Sequence, residues 1–120
     1  MIKQNNNTRF DLEERTSVFG EKIISFCQKT RITLIIEPLI KQLIRSATSI
    51  GANYMEANGS DSKKDFKNKI SICKKEAKET TYWLRMLANS LPDRKEELRI
   101  YWTEARELSL IFAAIINKLR

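Results

Sequence analysis

Three carboxylates, Glu56, Glu76 and Glu79, fall at spacings that could bring them together with Asn53 and Tyr82 between two facing helices. Carboxylates converging in a helical bundle can hold two metal ions, but such sites draw on Glu-x-x-His pairs, and the chain has no histidine. That absence also removes the commonest general base and the usual pH switch. The three glutamates are therefore expected to form a polar layer that fixes helix register, with Arg45 or Arg85 as the cation. Glu76 and Glu79 have the alternative of pairing across a subunit interface. Ser46, Thr48 and Ser49 have no histidine to activate them. Cys27 and Cys73 lie far apart without C-x-x-C spacing, so they carry no zinc signal and read as buried free thiols in a reducing, cytoplasmic setting. No catalytic residue, metal or cofactor is expected, and the chain is read as a non-enzyme.

The clearer chemistry is charge. The 120 residues carry a net +7, which suits acidic partners such as nucleic acid or anionic lipid. From Ser62 to Leu91 eight basic residues stand against three acids, whereas from Asp93 onward six stand against five. At 100° per residue Lys63, Lys64, Lys67, Lys74, Lys75 and Lys78 occupy about a third of one helix circumference. Such a stripe would hold the phosphate backbone of RNA or DNA without reading sequence; the same lysines could simply keep the surface solvated. No aromatic residue is interleaved with them, so base stacking is not expected.

The elements that must position these residues follow from stripes and stops. Gly and Pro are scarce, at three and two, and the apolar residues recur at helical spacing. The reading is an all-α, up-down-up-down four-helix bundle in a single domain. Its helices run over about 11–29, 37–58, 62–91 and 93–119, behind a flexible N-terminal tail at 1–10, with the bundle domain at 11–120. Asp11 with Glu14, Ser62 with Asp65, and Asp93 with Glu96 supply helix starts. Pro38 fits a first turn, and Asn58-Gly59 and Pro92 supply stops. The β-branched run TRITLII at 30–36 is expected to be a loop that packs on the bundle. Phe66, Ile70, Cys73, Ala77, Thr80, Leu84, Leu87 and Leu91 form one heptad seam, and Leu98 through Leu119 repeat it. The longest apolar block, Leu108–Ile116, is about half a membrane span, and the first residues lack the apolar core of a signal peptide, so no membrane association is expected.

Apolar residues exceed what one core requires. Ile72, Trp83 and Met86 lie beside the third helix's seam, and Ile111 and Ile116 stand among the apolar residues crowding the end of the fourth. These five are the expected oligomer interface, or a docking face for a protein partner. One stretch runs against the pattern: RSATSIGANYMEA, 45–57, crowds small and polar residues into an amphipathic helix. Ala47, Ile50, Gly51 and Tyr54 share a face there, and small residues let a neighbouring backbone come close. A single Gly51 makes no phosphate-binding loop, so the stretch is read as a seam between helices.

Together, DLEERTSVFG, LIKQLIRSATSIGANYMEANGSDSKKDF and KKEAKETTYWLRML resemble a family of small bacterial four-helix-bundle proteins encoded within intervening sequences of 23S rRNA genes, also labelled S23 ribosomal proteins. The resemblance covers about residues 9–116. It implies the fold and a homopentamer, with no settled biochemical function. The same fold is similar to the accessory variability determinant of diversity-generating retroelements, a basic five-fold bundle assembly that binds nucleic acid and a reverse transcriptase. The combined expectation is a non-catalytic homo-oligomer binding RNA or another polyanion through its third helix.

Overall fold

Four helices follow one another: α1 (Asn6–Gln28), α2 (Ile36–Asn58), α3 (Lys63–Ser90) and α4 (Lys95–Lys118). They come from a computed structural model that describes residues 6–120, with side chains from Leu12 onward. Short connections make each helix antiparallel to the one before it, and the bundle measures 45 × 21 × 21 Å. The all-α, up-down-up-down arrangement expected from the periodicity is the observed one. α1 begins five residues before the expected cap, so Asp11 lies within its run. Residues 1–5 of the expected tail lie outside the described residues.

The heptad positions fill the core. Phe66, Ile70, Cys73, Ala77, Leu84 and Leu87 of α3 and Leu98, Ala105, Leu108 and Phe112 of α4 are all buried. α1 adds Phe19, Ile23 and Phe26, and α2 adds Leu43, Ile50 and Tyr54. Each buried Leu, Ile or Phe among them contributes roughly 1.5–3 kcal/mol, against about 1 kcal/mol for a helix cap.

Those caps divide into one success and two departures. Ser62 starts α3 as expected, its hydroxyl accepting from the Asp65 amide at 3.0 Å. α4 does not start on Asp93. Pro92–Arg94 forms a single 3-10 turn, and no side chain caps the helix that follows. Arg94 instead turns back across the bundle end. Its guanidinium lies 3.9 Å from the Phe26 ring centroid, donates to Thr30 Oγ1 at 2.6 Å and pairs with Glu97 at 3.0 Å.

The α1–α2 loop departs as well. Thr30 and Ile36 are buried at its ends, but Ile32, Leu34 and Ile35 are exposed and do not pack on the bundle. Thr33 is the reason: its hydroxyl accepts from the Ile36 amide at 3.2 Å and its carbonyl accepts from Glu37 at 2.9 Å. With the backbone held by that cap, the apolar side chains around it face outward.

The 45–57 stretch is a seam on both sides of α2. Toward α1, a Cβ on Gly51 would stand 3.3 Å from Thr16 Oγ1 and 3.5 Å from the Thr16 carbonyl carbon. Thr16 has little room to yield, because it is buried and its hydroxyl donates to the Leu12 carbonyl at 2.6 Å. Toward α3, Thr80 donates to Ser46 Oγ at 2.9 Å, Ser46 donates to the Leu43 carbonyl at 3.3 Å, and the Cys73 thiol donates to the Ile50 carbonyl at 3.5 Å.

Two predictions arise from this packing. Gly51→Ala gains roughly 1 kcal/mol of helix propensity, which offsets the strain of a methyl group set against a Thr16 that is held in place, so its urea midpoint stays near wild type. Gly51→Val overfills the seam and costs about 1–3 kcal/mol; wild-type stability in that variant would rule out a close approach.

Burial pushes the Cys73 thiol up to about 12 and Cys27 to about 11, while in an unfolded chain both ionise near 8.5. The folded protein therefore holds these protons longer, and stability declines as pH rises above about 8.5, by at most ~1.4 kcal/mol per pH unit for each thiol. Urea unfolding measured across pH 8–11 should decline less steeply in Cys73→Ala; identical slopes would contradict the assignment.

Candidate polyanion interface

Helix periodicity sorts the charges of α3 and α4 onto different sides. At 100° per residue, Lys67, Lys74, Lys78 and Arg85 fall within about 40° of one another on α3, and Asp65, Glu76 and Glu79 fall about 100° or more away. On α4, Lys95, Arg99, Trp102 and Arg106 share an arc of about 60°, and Glu96, Glu97, Glu104 and Glu107 lie outside it. The two cationic arcs border the same furrow. Two concavities lie along it.

The first, of about 450 Å³, is lined by Lys67, Ser71, Lys74, Lys75, Lys78 and Arg120 over Ile116. The second, of about 460 Å³, is walled by Arg85, Lys95, Arg99 and Trp102 over Leu84, Ala88 and Leu98. No carboxylate lines either one. From Lys67 to Arg85 the furrow runs about 27 Å at 1.5 Å per residue.

Glu76, Glu79, Glu104 and Glu107 of these helices are engaged on the other side of the bundle. Arg45 of α2 reaches Glu76 at 3.2 Å and also pairs with Glu79, and Trp83 Nε1 donates to Glu79 at 3.0 Å. Arg15 of α1 pairs with Glu104 and Glu107, each at 2.7 Å. Lys69, the one α3 lysine in an ion pair among the described residues, takes Glu56 at 2.8 Å, and that partner raises its pKa above the ordinary lysine value. The furrow cations make no ion pair among the described residues. Their charge faces solvent uncompensated, so potentials add along the row.

Four of the six expected lysines, Lys67, Lys74, Lys75 and Lys78, line one groove. Lys63 and Lys64 are exposed on the first turn of α3, outside its lining. Sequence reading missed Arg120 and the Arg85–Lys95–Arg99–Trp102 cluster. α4 is nearly neutral in sum, and only its helical projection shows that the neutrality is two opposed charged faces.

The glutamate trio separates. Arg45 holds Glu76 and Glu79, Glu56 pairs with Lys69, and Arg85 takes no part. Among the described residues no three metal-ligating side chains are grouped to hold an ion. No helix among them is long and apolar enough to cross a membrane.

The expected interface residues divide by exposure. Ile72 is exposed, Trp83 and Ile111 are partly buried against the chain's own core, and Met86 is also partly buried. Ile116 falls on the core stripe of α4 and is 7 % exposed, so it faces inward and is not surface. The more exposed apolar side chains of α4 are Ile100, Leu110 and Trp102.

The comparisons agree with this architecture. A crystal structure of a protein with unknown function from the S23 ribosomal protein family of Bacteroides thetaiotaomicron VPI-5482 superposes with a TM-score of 0.75 at 32% identity, covering 88% of this chain and 97% of that one. No curated protein matches the sequence. The family model for the 23S rRNA-intervening sequence protein matches residues 12–114. With most of the chain covered by that match and the same bundle in the solved relative, the chain belongs to the 23S rRNA-intervening sequence protein family.

Proposed function

We propose that this bundle is a non-catalytic binding protein that takes RNA or another polyanion along the α3–α4 furrow. The observation that carries the reading is the row of cations from Lys67 to Arg85, matched across the furrow by Lys95, Arg99 and Arg120, with no lining carboxylate. A merely solvated lysine face has no need to be swept clear of acids, and mixed signs are the usual surface composition. Each phosphate neutralised there releases a condensed counterion, so affinity falls steeply with salt.

Self-association belongs to the same proposal. Ile72 and Leu110 remain exposed outside the core, and a closed ring, a pentamer on the family resemblance, would cover apolar side chains while repeating the furrow once per copy. A heterologous protein partner on those side chains is the competing occupant. The two buried thiols suit a reducing, cytoplasmic setting.

Fluorescence anisotropy with a labelled structured RNA tests the binding. Wild-type protein is expected to bind with a steep salt slope. Lys74→Glu/Lys78→Glu is expected to bind at least about ten-fold more weakly and to lose about 1.5 from that slope, with unchanged helicity and assembly mass. Equal binding by wild type and variant, or none by either at moderate salt, would overturn the reading. Sedimentation equilibrium tests the assembly: a multiple of the 14.0 kDa chain is expected for wild type and the single-chain mass for Ile72→Asp/Leu110→Asp, whereas a monomeric wild type ends the oligomer proposal.

A further inference from the structure

The two tryptophans of the chain occupy opposite circumstances. Trp83 is partly buried, gives its indole N–H to Glu79 at 3.0 Å and meets the Tyr82 ring edge-on at 5.0 Å. Trp102 is 38% exposed, and no hydrogen bond or ring contact engages it among the described residues. It stands on the α4 wall of the second concavity, over an apolar floor whose Leu84 and Leu98 are each 1% exposed. Around it are Arg85, Lys95 and Arg99, all exposed and, among the described residues, without a carboxylate partner. A flat aromatic face, an apolar floor and three free cations in about 460 Å³ complement a ligand that is itself flat, apolar on its faces and anionic at its edge.

We propose that this concavity takes an unpaired nucleobase on the Trp102 indole, with flanking phosphates on Arg85, Lys95 and Arg99, so that the preferred ligand is single-stranded polynucleotide. The inference rests on the polyanion reading and narrows it. A duplex presents phosphates to the furrow but keeps its bases within the stack, leaving Trp102 uncovered. A single strand offers both, and an indole accepts any base because every base has a π face. Arginine guanidinium planes also stack on bases, which fits two of the three cations here being arginine. The strand would continue past Lys78, about 10 Å from Arg85 along α3, into the groove that ends at Arg120. The absence of interleaved aromatics along the lysine stripe is thereby made good from the neighbouring helix.

The test compares four probes on the full chain by competition and intrinsic fluorescence: oligouridylate, duplex RNA of equal phosphate number, inorganic polyphosphate and poly-glutamate. Oligouridylate is expected to bind about ten-fold more tightly than the duplex or polyphosphate, and alone to quench tryptophan emission. Trp102→Ala, a surface change, should abolish most of the quenching and weaken oligouridylate about ten-fold, the scale of one base–aromatic stack, while leaving polyphosphate binding unchanged. Trp102→Phe should recover part of the lost affinity, and it carries the test should the alanine variant lose helicity.

Equal affinity of wild type and Trp102→Ala for oligouridylate would overturn the stacking proposal, and continued polyphosphate binding would leave the polyanion reading standing. Failure of all four probes would remove both. Poly-glutamate binding that depends on Trp102 and exceeds that of oligouridylate would make an acidic peptide the occupant, and the proposal would fall.

Discussion

The arrangement hangs on how closely α2 can be approached from both sides. Gly51 lets α1 bring the Thr16 backbone within what would be van der Waals contact of a methyl group, and Ser46 with Thr80 lets α3 close on the opposite flank through a buried hydroxyl pair. Larger side chains at these positions would hold the neighbours apart, and interior packing tolerates little such mismatch. α3 is placed by this contact, and α4 by α3 in turn. The direction in which the furrow cations point is thus decided one helix away from them, at residues that carry no charge.

Electrostatics then completes what packing begins. The cross-helix pairs, Arg45 with Glu76 and Glu79, Arg15 with Glu104 and Glu107, and Lys69 with Glu56, lie on partly exposed surfaces. Pairs of that kind add modestly to stability. Their larger effect is vectorial. The first two draw acids of α3 and α4 toward α2 and α1, leaving the far side of the same helices positive. A chain with an overall charge of +7 thereby concentrates far more than its average charge density on one face. Long-range attraction of a polyanion depends on that concentration more than on the net charge itself.

The helices were legible because apolar residues repeat every three or four positions and Ser62, Asn58-Gly59 and Pro92 mark their limits. The 45–57 seam was legible for a related reason: small residues on an otherwise apolar face have few other uses. Three features were not. Asp93 resembles a cap, but Arg94 finds better partners across the bundle in Phe26, Thr30 and Glu97, and a 3-10 turn takes the place of the cap. The 30–36 run looks as though it should pack, yet a single hydroxyl, Thr33, fixes the backbone and turns Ile32 and Leu34 outward. The third is the contribution of α4 to the site. Lys95, Arg99 and Trp102 look unremarkable in a balanced helix, and their meaning appears only when the facing edge of α3 is known.

The uneven attachment of α1 carries a consequence for motion. α2 and α3 each pack between two helices, whereas α1 packs along α2 and meets α4 across a groove of about 500 Å³, spanned by Arg15 at one level and by Arg94 with the Phe26–Tyr101 edge contact at another. Polar clasps of this kind open at far lower cost than a buried seam. The edge that opens at least cost is therefore the one between α1 and α4, while the core residues of α1 stay seated on α2. Opening there would leave the furrow, which lies between α3 and α4, undisturbed.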